Sequence, residues 1–442
     1  MKRFLKKILG HPAPTRPSSA ASNGPMTPPR HGALTLENLR VVPGAPLSVA
    51  QLPKVAIVIL NYNGRHHLQG CFDSLASLDY PKDRLEVILI DNGSDDGSPQ
   101  EMRERHGWVR LVENERNLGF TGGCNQGAQV AANAELLVFL NNDMRVEPRW
   151  LAELVAPIVR GECQATTAKM YSWDGKLINS VGGGMNFHGI GIQTGYLETP
   201  GPEHDVPRKS LFACGGAMAI ERRVFLEVGG FDPEFFAYYE DVDLGWRLWI
   251  HGHQVHYVPT AVCYHHHSST SRTFPPETLR VLQVRNPLYA CFKNYDDENL
   301  RKILPAMLAL ATRRMLLISG IPSDRPFRVE DVDLDRPGAL GKLIDKAKRG
   351  FDPDMTLRRN AGADLIAIND LLGNWEHWMV RRGEVQRARR RPDSEIFPLF
   401  MKPLWCVEDE GAYQALHNGM ARFMGIDALF DGLSIHGRDP HR

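Results

Sequence analysis

Val55-Ala56-Ile57-Val58-Ile59-Leu60-Asn61-Tyr62-Asn63-Gly64 is the stretch that decides the fold. Its first six residues form an unbroken apolar run, the mark of a strand covered on both faces in a parallel sheet, and the four polar or small residues after them turn the chain. Leu68, Cys71, Phe72, Leu75 and Leu78 then recur at helical spacing, Tyr80-Pro81 stops that helix, and Leu85 to Ile90 (LEVILI) reads as a second buried strand. This β-α-β unit ends in Asp91-Asn92-Gly93-Ser94-Asp95-Asp96-Gly97-Ser98, a polar, glycine-rich turn at the carboxyl end of a strand. The pattern then repeats. Trp108 to Glu113 reads as a third strand, Asn117 to Gly127 leads into a helix over Ala128 to Ala134, and Glu135 to Leu140 is a fourth strand running straight into Asn141-Asn142-Asp143. Such alternation predicts a doubly wound α/β sheet, whose ligands collect beyond the carboxyl ends of the strands, where these polar loops fall.

At 442 residues the chain is long enough for more than one domain. Lys plus Arg equals Asp plus Glu, 52 each, so no global field favours nucleic acid, and none is expected as a partner. Seven scattered cysteines without a CxxC pair suit a reducing compartment, and the cytoplasm is the expected location. The basic, partly apolar Met1 to Gly10 lacks the pattern of a secretory signal. His11 to Arg30, rich in Pro, Ser and Ala, reads as a linker, so residues 1–51 are taken as an N-terminal segment ahead of a domain over 52–295.

Downstream, Trp150 to Val159 reads as an apolar helix, Leu211 to Ile220 as a strand with a glycine kink, Arg222 to Val228 as a helix, and Val255 to Tyr264 as a strand broken at Pro259. Beyond them, 296–442 is expected to be mainly helical. Glu277 to Tyr295 and Leu300 to Ile318 form two apolar helical segments carrying Arg301, Lys302, Arg313 and Arg314. Two readings stand for this region: peripheral contact with an anionic membrane face, or packing of Leu304, Leu308, Leu316 and Leu317 on the preceding domain, and packing is preferred.

Three features point to chemistry. Glu240-Asp241-Val242-Asp243 places three carboxylates within four residues, behind an aromatic run; such a cluster raises a carboxyl pKa into the range of a general base, or else complements a helix N-terminus. Asn141-Asn142-Asp143 offers oxygen ligands for Mg²⁺ or Mn²⁺, or is a turn, and His265-His266-His267 offers one imidazole to the same ion, since neighbours on a strand face opposite ways. Asp91 is placed to accept from the imide N–H of uracil or thymine, while Gly64, Gly119, Gly122 and Gly123 allow backbone close to phosphate or ribose. The first strand is followed by neither GxGxxG nor a Walker A loop, which disfavours a dinucleotide enzyme and a phosphate-loop NTPase.

The order of these pieces resembles the family 2 glycosyltransferases of GT-A fold, in particular their bacterial rhamnosyltransferase-like branch. Val55 to Gly64, Glu86 to Ser98, Asn117 to Gly127, Leu140 to Asp143, Gly229-Gly230-Phe231-Asp232, Phe236 to Leu244 and the His-Ser-rich end carry the likeness, over roughly Lys54 to Arg272. The resemblance implies a nucleotide-binding α/β domain with a mixed, mostly parallel sheet. It implies that Asp91 recognises the base, that Leu60, Tyr62, Asn63 and Gly64 lie under the nucleotide, and that Asn117, Gly122, Asn125, Asn141 and Asn142 line the donor pocket. Asp143 matches the last acid of the family's DxD motif, with Asn141 where the first acid often stands. Asp241 matches the catalytic base and Glu240 its neighbour, and His265, then His267, is the expected second metal ligand.

The activity implied is inverting, divalent-metal-dependent transfer of a sugar from UDP-sugar or dTDP-rhamnose to a hydroxyl of a cell-surface glycan or lipid-linked precursor. Two alternatives are carried beside it: a nucleotide- or glycan-binding protein of the same fold without turnover, and a sugar nucleotidyltransferase.

Overall fold

A computed structural model describes residues 39–266, 276–319 and 362–431. The N-terminal basic segment, the Pro-rich linker and His267 lie outside the described residues. The expected first unit is present as β1 (Val55–Asn61), α1 (Arg65–Ala76) and β2 (Leu85–Asp91), followed by α2 (Ser98–Arg105), β3 (Arg110–Glu113), α3 (Gly119–Val130), β4 (Leu136–Asn141), β5 (Met144–Val146) and α4 (Trp150–Val159). The second half contributes β6 (Ala165–Ser172), β7 (Ile178–Ser180), the hairpin β8 (Gly183–Met185) and β9 (Gly191–Gln193), β10 (Arg208–Lys209), β11 (Ala217–Glu221), α5 (Arg222–Glu227), α6 (Glu240–Ile250) and β12 (Val255–His265). Helices α7 (Pro276–Asn294), α8 (Asp297–Ser319), α9 (Gly362–Gly373), α10 (Trp375–Ala388) and α11 (Gly411–Phe423) follow.

The main sheet runs β10-β12-β6-β11-β4-β1-β2-β3. Strands β4, β1, β2 and β3 are parallel, while β11 lies antiparallel between β4 and β6, so the sheet is mixed and mostly parallel. Alternate residues face opposite layers. Ile57, Ile59 and Leu89 pack under α1 and α4, whereas Val58, Ile90 and Phe139 pack against α3, α5 and α6. The second layer continues without interruption into the C-terminal helices through Tyr289, Phe292, Ile303, Leu310, Trp378 and Tyr413. Lys302, Arg313 and Arg314 of α8 are paired with Glu298, Glu410 and Asp364. No helix of the described residues is long and apolar enough to cross a membrane.

Two elements differ from the sequence reading. The helix expected over 128–134 begins at Gly119, because its glycines serve close packing: a Cβ on Gly123 would overlap Leu60, and one on Gly127 would overlap Val58. The strand expected over 211–220 is confined to Ala217–Glu221, since Leu211, Phe212 and Cys214 are diverted into packing and pocket walls. Pro259 coincides with the register shift of β12 between Val258 and Val262, as a residue lacking an N–H requires.

Candidate active site

Register brings the polar motifs together. Asn61 is paired with Asp91 and Leu60 with Asn141, so three strand ends meet at one edge. A cleft of about 520 Å³ opens above them. Its walls include Leu60, Tyr62, Asn117, Asn141, Asn142, Asp143, Glu240, Asp241 and His265.

The loops under the cleft are braced by the remaining polar residues. Asp91 Oδ1 accepts from the Gly93 and Ser94 N–H groups, and Oδ2 accepts from Asn61 Nδ2 (2.9 Å) and Ser94 Oγ (2.8 Å), so both oxygens are engaged inside the loop. Its neighbour Asn92 is the one that reaches the cleft. Asn63, at φ 51°, accepts from Asp95 N–H, and a Cβ on Gly64 would overlap the Asn142 amide, itself bonded to Asn61 Oδ1 at 2.7 Å. Asn125 exchanges two hydrogen bonds with the Phe231 backbone (2.7 and 3.0 Å), and Gly122 packs on Leu118. Asn63, Gly64, Asp91, Gly122 and Asn125 therefore shape the site from behind its walls.

Asp143 is buried, with Oδ1 3.3 Å from His265 Nε2. The other ring nitrogen, Nδ1, lies 3.0 Å from Asn179 Oδ1. In the tautomer that donates from Nδ1 to Asn179, Nε2 presents its lone pair beside the carboxylate, the arrangement of a ligating histidine oriented from its far side. A carboxylate oxygen and an imidazole lone pair at this separation fit a shared divalent cation that takes its remaining ligands from phosphate and water. His266 turns away and stacks on Trp173 (3.7 Å), although its N–H donates to the Asp143 carbonyl.

At the same cleft, α6 begins with the acidic run. Asp241 Oδ2 accepts from Gly215 N–H at 3.0 Å and Oδ1 from Val242 N–H at 2.8 Å, two bonds that fix the carboxylate. Burial nevertheless raises its pKa. Burial first, and then the Asp241 charge, push Glu240 well above the carboxylate range, and Glu240 Oε2 is buried without a hydrogen-bond partner. Asp243 faces the opposite side of the helix, where Arg247 (2.8 Å) and Lys293 (2.9 Å) neutralise it. Only two of the three carboxylates thus belong to the cleft.

Several wall residues escape motif reading. Gly191 and Gln193 come from β9, Phe212, Cys214 and Gly215 from the irregular segment before β11, and Leu279 and Gln283 from α7. The aromatic run was the one signal in the sequence: Phe236, Tyr238 and Tyr239 all border the cleft, each at positive φ (61°, 69° and 65°).

Residues 56–229 match the family model Glycosyl transferase family 2, and residues 204–318 match Glycosyl transferase family group 2. The O-antigen biosynthesis protein RfbC of Myxococcus xanthus is 32% identical over 258 residues, 55% of this chain but 20% of that protein, so this chain covers a minor part of RfbC. The N-acetylglucosaminyl-diphospho-decaprenol L-rhamnosyltransferase of Mycobacterium tuberculosis is 29% identical over 254 residues, 50% of this chain and 79% of that protein. Among solved structures, GalNAc-T7 with UDP, GalNAc and Mn²⁺ aligns with a TM-score of 0.48 at 22% identity, over 60% of this chain and 52% of that one.

Proposed function

Since residues 56–229 make this chain a member of the family 2 glycosyltransferases, we propose that it moves a sugar from a nucleoside diphosphate donor to an acceptor hydroxyl with inversion at the anomeric carbon. The observation that carries this reading is the presence, in one cleft, of the Asp143–His265 pair and the half-buried, doubly hydrogen-bonded Asp241 carboxylate. Asp241 takes the proton of the acceptor hydroxyl, the acceptor oxygen attacks C1 of the sugar, and the bond from C1 to the diphosphate oxygen breaks. The nucleoside diphosphate leaves from the face opposite the attack. Asp143 and His265 would hold a divalent cation, Mg²⁺ or Mn²⁺, which would neutralise charge on the diphosphate.

The chemistry of the lining residues supports this division of labour. Tyr62, Asn92, Asn117 and Asn141 give the donor side amide and hydroxyl groups suited to a nucleotide, with UDP- and dTDP-sugars as the proposed donors. Val242, Phe212, Leu279 and the aromatic run give the same cleft apolar surface suited to the acceptor. Likeness to a rhamnosyltransferase and to an O-antigen biosynthesis protein supports a rhamnosyl or related hexosyl donor and a lipid-linked or cell-surface glycan acceptor, met on the cytoplasmic side of a membrane. The test is incubation with a panel of UDP- and dTDP-sugars and Mn²⁺ or Mg²⁺, reading free nucleoside diphosphate and the configuration of the product by NMR. Nucleotide binding without turnover of any donor would instead favour a binding protein, and a retained anomeric configuration would remove Asp241 from its role.

A further inference from the structure

We infer that Asn286, on α7, is a positioning residue that sets the place of Asp241 by clamping the strained loop in front of it; the inference rests on the reading of Asp241 as the base. Between Asp232 and Glu240 the backbone takes left-handed φ at Phe236, Tyr238 and Tyr239, a conformation that side chains with a Cβ adopt at a cost and that persists only where surroundings enforce it. The carbonyls freed by this path need donors, because past the single 3-10 turn Pro233–Phe235 the loop forms neither helix nor sheet with its neighbours.

Asn286 provides them. It is fully buried, and its Nδ2 donates to the carbonyls of Phe235 (3.0 Å), Ala237 (2.9 Å) and Tyr238 (2.7 Å), two N–H groups shared among three acceptors. Arg285 fixes the sense of the amide by donating to Asn286 Oδ1 at 3.1 Å, and it also donates to the Glu234 carbonyl at 2.8 Å. The fourth carbonyl of the run, that of Phe236, points the other way and accepts from Thr121 N–H on α3 at 3.2 Å. The loop is therefore suspended between α3, whose start lies at the donor pocket beside Asn117, and α7. Two turns further along α7, Lys293 and Asn294 hold Asp232 and Asp243 on either side of the loop.

An apolar residue of similar volume removes all three bonds, and a hydroxyl keeps one. Phe236, Tyr238 and Tyr239 border the cleft, so a relaxed loop moves the base and the acceptor wall together while leaving the nucleotide loops of β1, β2 and β4 in place. Proximity effects are steep enough for a displacement of about 1 Å to cost about 10²-fold in rate.

The experiment compares Asn286→Leu, Asn286→Ser and, as a packing control on the same helix, Leu288→Ala, by hydrogen–deuterium exchange, steady-state kinetics, nucleotide calorimetry and melting temperature. Asn286→Leu is expected to speed exchange across residues 234–243 and to lower kcat about tenfold or more, with nucleotide Kd changed by less than about twofold; Asn286→Ser falls between it and the wild type. Leu288→Ala is expected to lower the melting temperature while keeping kcat and the exchange of 234–243. Unchanged exchange in Asn286→Leu overturns the inference, as does a kcat loss that follows melting temperature along the same line for both positions. Should Asn286→Leu not fold, Asn286→Ser decides by the same readouts. Activity retained by Asp241→Asn would instead remove the assignment of the base, and the exchange data would still decide whether Asn286 clamps the loop.

Discussion

Lys293 Nζ lies 2.9 Å from Asp243 Oδ1 and 2.5 Å from Asp232 Oδ2, so one buried ammonium joins two carboxylates of separate segments. Asp243 is thereby drawn to the rear of α6, leaving Glu240 and Asp241 to the cleft. Burial opposes ionisation of Asp232, yet Lys293 and Arg381 outweigh it and hold its carboxyl well below the usual range. A depressed folded pKa stabilises the protein above the unfolded value of 3.8, and that contribution is lost as pH falls through the folded value.

Lys293→Met leaves two buried carboxylates without their shared cation. The expected loss is about 3–5 kcal/mol in urea denaturation at neutral pH, the range for breaking a buried pair from one side. An unchanged midpoint would show that Arg247 and Arg381 suffice alone.

Glu240 carries the opposite sign. Its folded pKa is raised above the ordinary 4.5, so folding takes up a proton over that window and stability falls as pH rises through it. Glu240→Gln stays neutral and removes this fall. The variant is expected to gain stability relative to the wild type as pH rises above 4.5 in denaturation curves; a constant difference at every pH above that would mean that Glu240 is not protonated in the folded protein.

Binding of UDP or dTDP is expected to need a divalent ion through Asp143 and His265, because diphosphate otherwise meets a carboxylate unshielded. Calorimetry in EDTA, and with Asp143→Ala or His265→Ala, should show weakened binding in each case. Equal affinity in all four conditions would reduce Asn141-Asn142-Asp143 to a turn.

The fold was legible because apolar runs such as Leu85 to Ile90 have one physical solution beside amphipathic helices, whereas glycine is ambiguous. Gly122 and Gly123 read as backbone open to phosphate, yet Gly123, together with Gly127, brings α3 against Leu60 and Val58. Asp91 shows the same limit: a carboxylate at a strand end looks like a ligand group until Asn61 and Ser94, seen only in three dimensions, occupy it. Nor does local sequence reveal that Asp243 meets a lysine fifty residues away. Motifs located the cleft edge at Asn141 to Asp143 and Glu240 to Asp241; irregular wall residues such as Phe212 and Cys214 have no pattern to read.

Gly127→Val tests the packing role of these glycines. A Cβ there overlaps the Val58 side chain, so overpacking should cost about 1–3 kcal/mol. Wild-type stability in thermal unfolding would mean that α3 shifts freely on β1.

The central claim is that Asp241 is the base of a glycosyl transfer. The direct measurement is the rate of nucleoside diphosphate release from the best donor and acceptor with Mn²⁺, wild type against Asp241→Asn, with nucleotide affinity measured in parallel. The account predicts a fall of about 10²-fold or more in turnover at nearly unchanged affinity. A folded Asp241→Asn protein that transfers sugar at the wild-type rate would contradict it.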